Sequence, residues 1–473
     1  MTVNAALGGK RGGKTGINQV KDIGSVPNSQ VAGGLFALYI YFLIDFFLHL
    51  SARIPGYGQI RPTLILVILI AGLLFVQRER FTGRGKEPIF TAIFVLLGYI
   101  VVSVPLVEFP GSVVKNNLPD FVKAIVFLFF TAQIVDSEKR LKIFLLVFVG
   151  CQVFRVLEPL FLNITTGYWG SKTYLGVEEG FASRLGGAPA DVINPNGLGF
   201  VLVTAIPFLH YLMFTGRWKA KLLYLALMPC LLYALILTMS RGALLALFVV
   251  AWMVFKESSH KLMLIVVAIA IAMGGWGVMN SAQKDRYISL VSSDAGQSKG
   301  VDGRFNLIIH EFQLGFERPI VGHGLGTTAE SKFHSWGRRQ ASHNMYGELV
   351  IELGLIGAVI FLVFIARIYQ RFRQNSELLQ ASPTDDGSLV FYSNLNRALI
   401  AVFWMYALYS LNYYGLSQYY WYLLGGLAVA FGRTLESKVK ALEPQEADVT
   451  PAPHRFGLGW RLKERAPNTS LHR

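Results

Sequence analysis

The sequence predicts an all-α, polytopic membrane protein of about twelve transmembrane helices with one long loop on the outer side. Three observations carry this. The 473-residue chain is 53% hydrophobic, with mean hydropathy +0.44. Only 15% of its residues are charged, against roughly 25% in an ordinary soluble domain. Apolar runs near the ~20 residues of a spanning helix recur along the chain. They fall at roughly 32–50, 62–77, 88–107, 119–135, 141–161, 197–215, 221–239, 242–256, 261–279, 344–367, 397–413 and 418–432. The last two are rich in Tyr and Trp, including Trp404, Tyr406, Tyr413, Tyr420, Trp421 and Tyr422, a composition that suits an interfacial belt.

The connectors between these runs set the orientation. Arg78-Glu79-Arg80 with Arg84 and Lys86, Glu138-Lys139-Arg140 with Lys142, Arg217 to Lys221, Lys256 with Lys261, and Arg367 to Arg373 all fall on one side. By the positive-inside rule that side is the cytoplasm, and both termini lie there. The other side then holds the loops near 51–61, 108–118, 162–196, 240–241, 280–343 and 414–417. The same rule accounts for much of the net charge of +15, from 44 Lys and Arg against 29 Asp and Glu. In a soluble protein that excess would suggest nucleic acid; here no nucleic-acid partner follows. Residues 1–30 are polar, Gly-rich and basic, which excludes a cleavable signal peptide and reads as a disordered cytoplasmic extension. Residues 31–433 form the transmembrane domain. Residues 434–473, rich in Pro and charge beyond about Ala441, read as a disordered cytoplasmic tail. Cys151 and Cys230 sit inside apolar runs and read as buried small residues.

Four constellations on the outer side could carry chemistry. Thr238-Met239-Ser240-Arg241-Gly242-Ala243 joins two apolar runs with almost no polar padding, which places Arg241 at or just below the membrane surface. An arginine there is costly and faces a cavity or an anion, unless it snorkels to water. In the long loop 280–343, Asp302-Gly303-Arg304 begins an amphipathic run, and Arg304 offers a planar fork that matches phosphate oxygens. Arg318-Pro319-Ile320-Val321-Gly322-His323-Gly324-Leu325-Gly326 follows. Its glycines lack the preceding strand and the Lys-Ser/Thr of a nucleotide loop, so a surface turn is expected. Ser342-His343-Asn344 opens the tenth run, with His343 at the mouth of the membrane as a general base or a cap-adjacent structural residue. Glu348 and Glu352 follow at i, i+4 spacing inside the apolar stretch. They need partners, and Arg241 or Arg304 are the expected ones. Arg184 lies before Asp191 and Asn194-Pro195-Asn196-Gly197, where Asn194 or Asn196 would cap a helix. His310, His323, His334 and His343 show no metal-ligand spacing and no companion Cys, so no metal or cofactor is expected.

Several arginines with one candidate base and no nucleotide loop suit transfer from a lipid-linked phosphate donor at the outer leaflet. Arginine in a low-dielectric pocket would stabilise the leaving diphosphate. At these residues the chain resembles the O-antigen ligase / O-antigen polymerase superfamily of bacterial membrane glycosyltransferases. The resemblance rests on Arg184 to Asn196, on Ser240-Arg241-Gly242, on Asp302-Gly303-Arg304 through Gly326, and on His343-Asn344 followed by Glu352-Leu353-Gly354-Leu355-Ile356-Gly357. It spans about residues 180–365.

The resemblance implies a GT-C-like fold in the bacterial inner membrane, with glycan transferred from undecaprenyl diphosphate on the periplasmic side. It implies Arg241 and Arg304, with Arg184, on the diphosphate, and His343 activating or orienting the acceptor hydroxyl, with Asn344 and Glu348 as further substrate contacts. The acceptor would be lipid A–core or a protein for a ligase, and another lipid-linked glycan for a polymerase, alongside polysaccharide-assembly partners. The sequence leaves that choice open. The rival from another class is a twelve-helix polysaccharide or lipid transporter. Such proteins join two six-helix halves by a cytoplasmic link, whereas the link here is only about Gly216 to Lys221 and no matching halves are evident.

Overall fold

A computed structural model describes residues 31–81, 87–170, 184–288, 299–382, 387–413 and 415–442. Among the described residues the regular structure is entirely helical. The first group is α1 (Gly33–Leu48), α2 (Leu50–Arg53), α3 (Pro62–Val76), α4 (Pro88–Ser103), α5 (Pro110–Ser112), α6 (Leu118–Ile134) and α7 (Glu138–Thr166). The second is α8 (Pro195–Phe208), α9 (Trp218–Thr238), α10 (Arg241–Glu257) and α11 (Lys261–Val278). The long loop contains α12 (Ser281–Ile288), α13 (Lys299–Glu317) and α14 (Thr328–Trp336). The chain closes with α15 (Met345–Ala381), α16 (Val390–Tyr409) and α17 (Tyr419–Leu442).

Each of the twelve predicted runs coincides with a helix. Among the described residues seven spans are long and apolar enough to cross a membrane, and α1 and α3 are shorter apolar helices. Their starts follow local chemistry. Proline, whose missing N–H costs nothing in a first turn, opens α3, α4 and α8. The exterior is as informative as the core. Helix α11 has no buried residue although it is apolar throughout, and Ile68, Phe75, Val102, Leu146, Phe161 and Leu262 are all exposed. Apolar surface of that extent is tolerated in a lipid solvent and not in water. The chain is therefore an all-α polytopic membrane protein.

Contacts sort the connectors to two ends of the bundle. At one end Glu87 meets Arg433, Arg140 meets Asp136 and the Val31 carbonyl, Tyr392 meets Glu138, and Arg397 approaches Glu257. These are the basic connectors. The motif residues gather at the other end, where α8, α10, α15 and α17 begin and α9 and α16 finish.

Three expectations are corrected. The Tyr and Trp residues of the last two helices are not a belt: Tyr406, Tyr409, Tyr420, Trp421 and Tyr422 are buried, and only Trp404 is well exposed. Helix α17 lies between α6 and α15, so these rings pack as core, and the Tyr422 hydroxyl donates to the Leu416 carbonyl at 2.6 Å. Cys151 is buried but Cys230 is exposed, because its face of α9 points away from the bundle. The ordered chain also runs past Arg433: α17 continues to Leu442, with Leu435 and Val439 buried. The extensions 1–30 and 443–473 lie outside the described residues.

Candidate functional site

The Arg241 turn is built by its neighbours. Met239 closes α9 in the left-handed region, and the Ser240 side chain accepts from the Ala243 N–H at 3.3 Å to cap α10. The close crossing of α8 and α10 depends on small residues: a methyl at Gly199 would come within 2.7 Å of the Ala243 side chain. Arg184 clamps this turn from outside. Its Nε donates to the Thr238 carbonyl at 2.9 Å and its Nη2 to Asn196 Oδ1 at 2.8 Å, while the Leu185 N–H donates to the Leu237 carbonyl. Arg184 and Arg241 are both buried. Asn194 caps α8, accepting from the Gly197 N–H at 2.8 Å, as its sequence context predicts.

The start of α15 is fixed with equal care. Asn344 is the cap, accepting from the Tyr346 N–H at 2.9 Å, so its carboxamide has a structural task. The Met345 N–H donates to the Ser410 carbonyl at 2.8 Å, tying the helix to the end of α16. His343 is exposed and lines a narrow cleft of about 20 Å³ with Asn196, Leu307, Ile308, Glu311, Leu411 and Asn412. The Arg241 turn borders the same cleft, since the Cβ of Asn412 lies 3.5 Å from where a Gly242 methyl would stand. Arg304 is on α13, the helix that also carries Ile308 and Glu311. Its side chain lies outside the described residues. Two motifs about a hundred positions apart, the Arg241 turn and the His343 helix start, thus meet at one cleft. A cavity of about 580 Å³ at the opposite end, beside Glu257, Asn396 and Arg397, holds none of them.

Glu348 and Glu352 have partners other than the expected arginines. Glu348 accepts from the Gly415 and Leu416 N–H groups at 2.7 and 3.2 Å, and so anchors the α16–α17 connection. Glu352 accepts from the Gly326 N–H and the Thr328 hydroxyl, both at 2.7 Å. The expected surface turn at Gly322, Gly324 and Gly326 is instead an inward wedge against α15. Helix α15 breaks at Gly354, and the turn takes up the freed groups. The His323 N–H donates to the Ile351 carbonyl at 2.8 Å, and the Leu355 N–H to the Pro319 carbonyl at 2.7 Å. His323 is structural: its imidazole bonds Glu108 and the Leu314 carbonyl.

Glu108 also bonds His334 at 2.7 Å and approaches Arg318. Partial burial pushes its carboxyl up, but the bonds to His323 and His334 and the Arg318 charge outweigh this and hold it below its ordinary value. A depressed carboxyl stabilises the fold at pH above its unfolded value, and that stability is lost as pH falls through the folded value. Hydrogen exchange over residues 318–334 should therefore accelerate as pH drops below about 5 after correction for intrinsic rates. In Glu108→Gln this added acid sensitivity should disappear. An unchanged acid response in that variant would show that Glu108 does not couple the segment to pH.

Two buried ion pairs escaped the sequence reading. Arg155, on the apolar α7, grips Asp191 through Nε to Oδ2 at 2.6 Å and Nη2 to Oδ1 at 3.1 Å, which pins the loop that carries Arg184. An arginine inside an apolar run was the available signal. Glu311 and Lys332 meet at 2.5 Å with both side chains fully buried. Neither falls in a recognisable spacing, and only the packing of α13 and α14 onto α15 pairs them.

The fold and site define a class: a helical membrane protein that gathers guanidinium, imidazole and carboxamide groups at one end of its bundle. Residues 225–362 match the family model for O-Antigen ligase. That segment runs from α9 through the long loop into α15 and supports the resemblance to the O-antigen ligase / O-antigen polymerase superfamily. It points to a glycosyltransferase-type membrane enzyme. No curated protein matches the chain.

Proposed function

We propose that the protein moves an undecaprenyl-diphosphate-linked oligosaccharide or polysaccharide onto an acceptor at the periplasmic face of the bacterial inner membrane, with both termini cytoplasmic. The observation that supports this is the meeting of the Arg241 turn and the His343 helix start at one cleft at the end opposite the basic connectors. Arg241 and Arg304 hold the donor diphosphate, and Arg184 braces the turn that presents Arg241. The acceptor hydroxyl attacks the anomeric carbon, and the bond from that carbon to the phosphate oxygen breaks. The hydroxyl proton passes to His343, and the diphosphate departs with the bonding electrons, stabilised by the two guanidinium groups. The donor supplies the energy, so no nucleotide is needed. Asn344 and Glu348 act through the backbone they hold.

The test is glycan transfer by the purified full chain from a lipid-linked donor in lipid. Arg241→Ala, Arg304→Ala and His343→Ala should each lower the rate by about a hundredfold or more. Undiminished transfer in all three would sink the assignment. Transport of glycan into vesicles by a wild type that transfers none would favour the transporter reading.

A further inference from the structure

We infer that the buried Glu311–Lys332 ion pair is a positioning device for His343, holding the two residues that precede it. This rests on the reading of His343 given above. The pair joins α13 to α14 at 2.5 Å, and neither side chain has any solvent exposure. Each partner also reaches the strand of chain leading into α15. The Ser342 hydroxyl lies 3.0 Å from Glu311 Oε2, and Lys332 Nζ donates to the Ala341 carbonyl at 3.3 Å. Ser342 passes the restraint on, lying 2.8 Å from the Asn344 carbonyl and accepting from the Asn344 N–H at 3.1 Å. His343 is therefore held on both sides, and it lines the cleft whose wall Glu311 also supplies.

The contact with α15 is close. A methyl at Gly347 would come within 3.1 Å of Glu311 Oε2, so the carboxylate is seated against the first turn of the helix. A dry ion pair is a poor way to gain stability, because desolvation offsets most of its attraction. It is a good way to fix one geometry, since either charge left alone is strongly disfavoured. The same pair fixes α13, the helix that carries Arg304, against α14.

Glu311→Gln, Lys332→Met and the reversed pair Glu311→Lys/Lys332→Glu distinguish positioning from bulk stability. The first readout needs no turnover: the rate of diethyl pyrocarbonate modification of His343 in the full chain in lipid, followed by mass spectrometry. His260, exposed at the opposite end, is the internal reference. Positioning predicts that the single variants change the His343 rate severalfold, leave His260 unchanged, and are restored by the reversed pair. The second readout is transfer from a lipid-linked oligosaccharide donor. The single variants should lose about ten- to a hundredfold in kcat with little change in donor KM. Folded single variants with wild-type His343 reactivity and wild-type kcat would overturn the inference. If the wild type transfers from no lipid-linked donor, the proposed function fails, while the modification rates still decide whether the pair positions His343.

Discussion

Asp191→Ala is expected to destabilise the protein by about 3–5 kcal/mol, because it strands Arg155 in a buried site. Arg155 lies on α7, 5% exposed, and both of its bonds to Asp191 are shorter than 3.2 Å. Asp191 has no exposure at all, so water cannot replace it from the loop side. Gln152, one turn before Arg155, accepts one further bond at 3.3 Å but cannot neutralise the charge. The damage should spread to the loop that holds Arg184, since the Arg155–Asp191 pair ties that loop to α7. Thermal unfolding in detergent and limited proteolysis within residues 184–194 would measure both effects. The double variant Arg155→Met/Asp191→Ala should recover much of the loss, because it removes the stranded charge. A single-variant cost below about 1 kcal/mol would show that the pair is relaxed or hydrated.

Gly354→Ala should be comparably severe, for a reason that lies in the backbone. Gly354 adopts φ 63°, ψ −173° in the middle of α15, a region open essentially to glycine alone. The conformational term is about 1–3 kcal/mol, and overpacking adds about 1–3 more. The overpacking arises because the new methyl would stand 2.4 Å from the Ile320 carbonyl oxygen and 2.7 Å from the Val321 nitrogen. These atoms belong to the wedge that completes the broken helix, so the wedge must move. Loss of exchange protection at His323 and Leu355, with a lowered thermal midpoint, is the expected result. Gly98→Ala, on α4 with open space around the new methyl, is the control and should be neutral or slightly stabilising. Wild-type protection at His323 and Leu355 in Gly354→Ala would refute the account of the break.

The two cases show where the sequence was legible. The all-helical membrane class was readable because a spanning segment must satisfy its own backbone and face lipid with apolar side chains, which length and hydropathy report. Arg241 was readable for the same reason, as a cation in a place that lipid disfavours. Asn194 was readable at a helix start because capping is local, whereas the cap of α15, Asn344, was read only as a substrate contact. The partners of Glu348 and Glu352 were not. Both carboxylates are satisfied by backbone N–H groups, Gly415 and Leu416 for one and Gly326 for the other. Backbone donors leave no mark in a sequence. The aromatic residues of α17 misled for a related reason: tyrosine suits an interface and a buried, hydrogen-bonded core equally well.

By itself, the sequence determined the all-α polytopic class of the protein, the order of its apolar runs and the motifs that resemble a glycan-transferring superfamily. These follow from the solvent and from local backbone chemistry, which act on short stretches of chain. Tertiary structure alone decided which residues share the cleft. It brought Asn196 and Asn412 beside His343, bent α15 at Gly354 to receive the 318–326 wedge, and paired Arg155 with Asp191 and Glu311 with Lys332. Those relations join positions far apart in the chain, and the energy that fixes them is the cost of leaving a buried charge or backbone group unpaired.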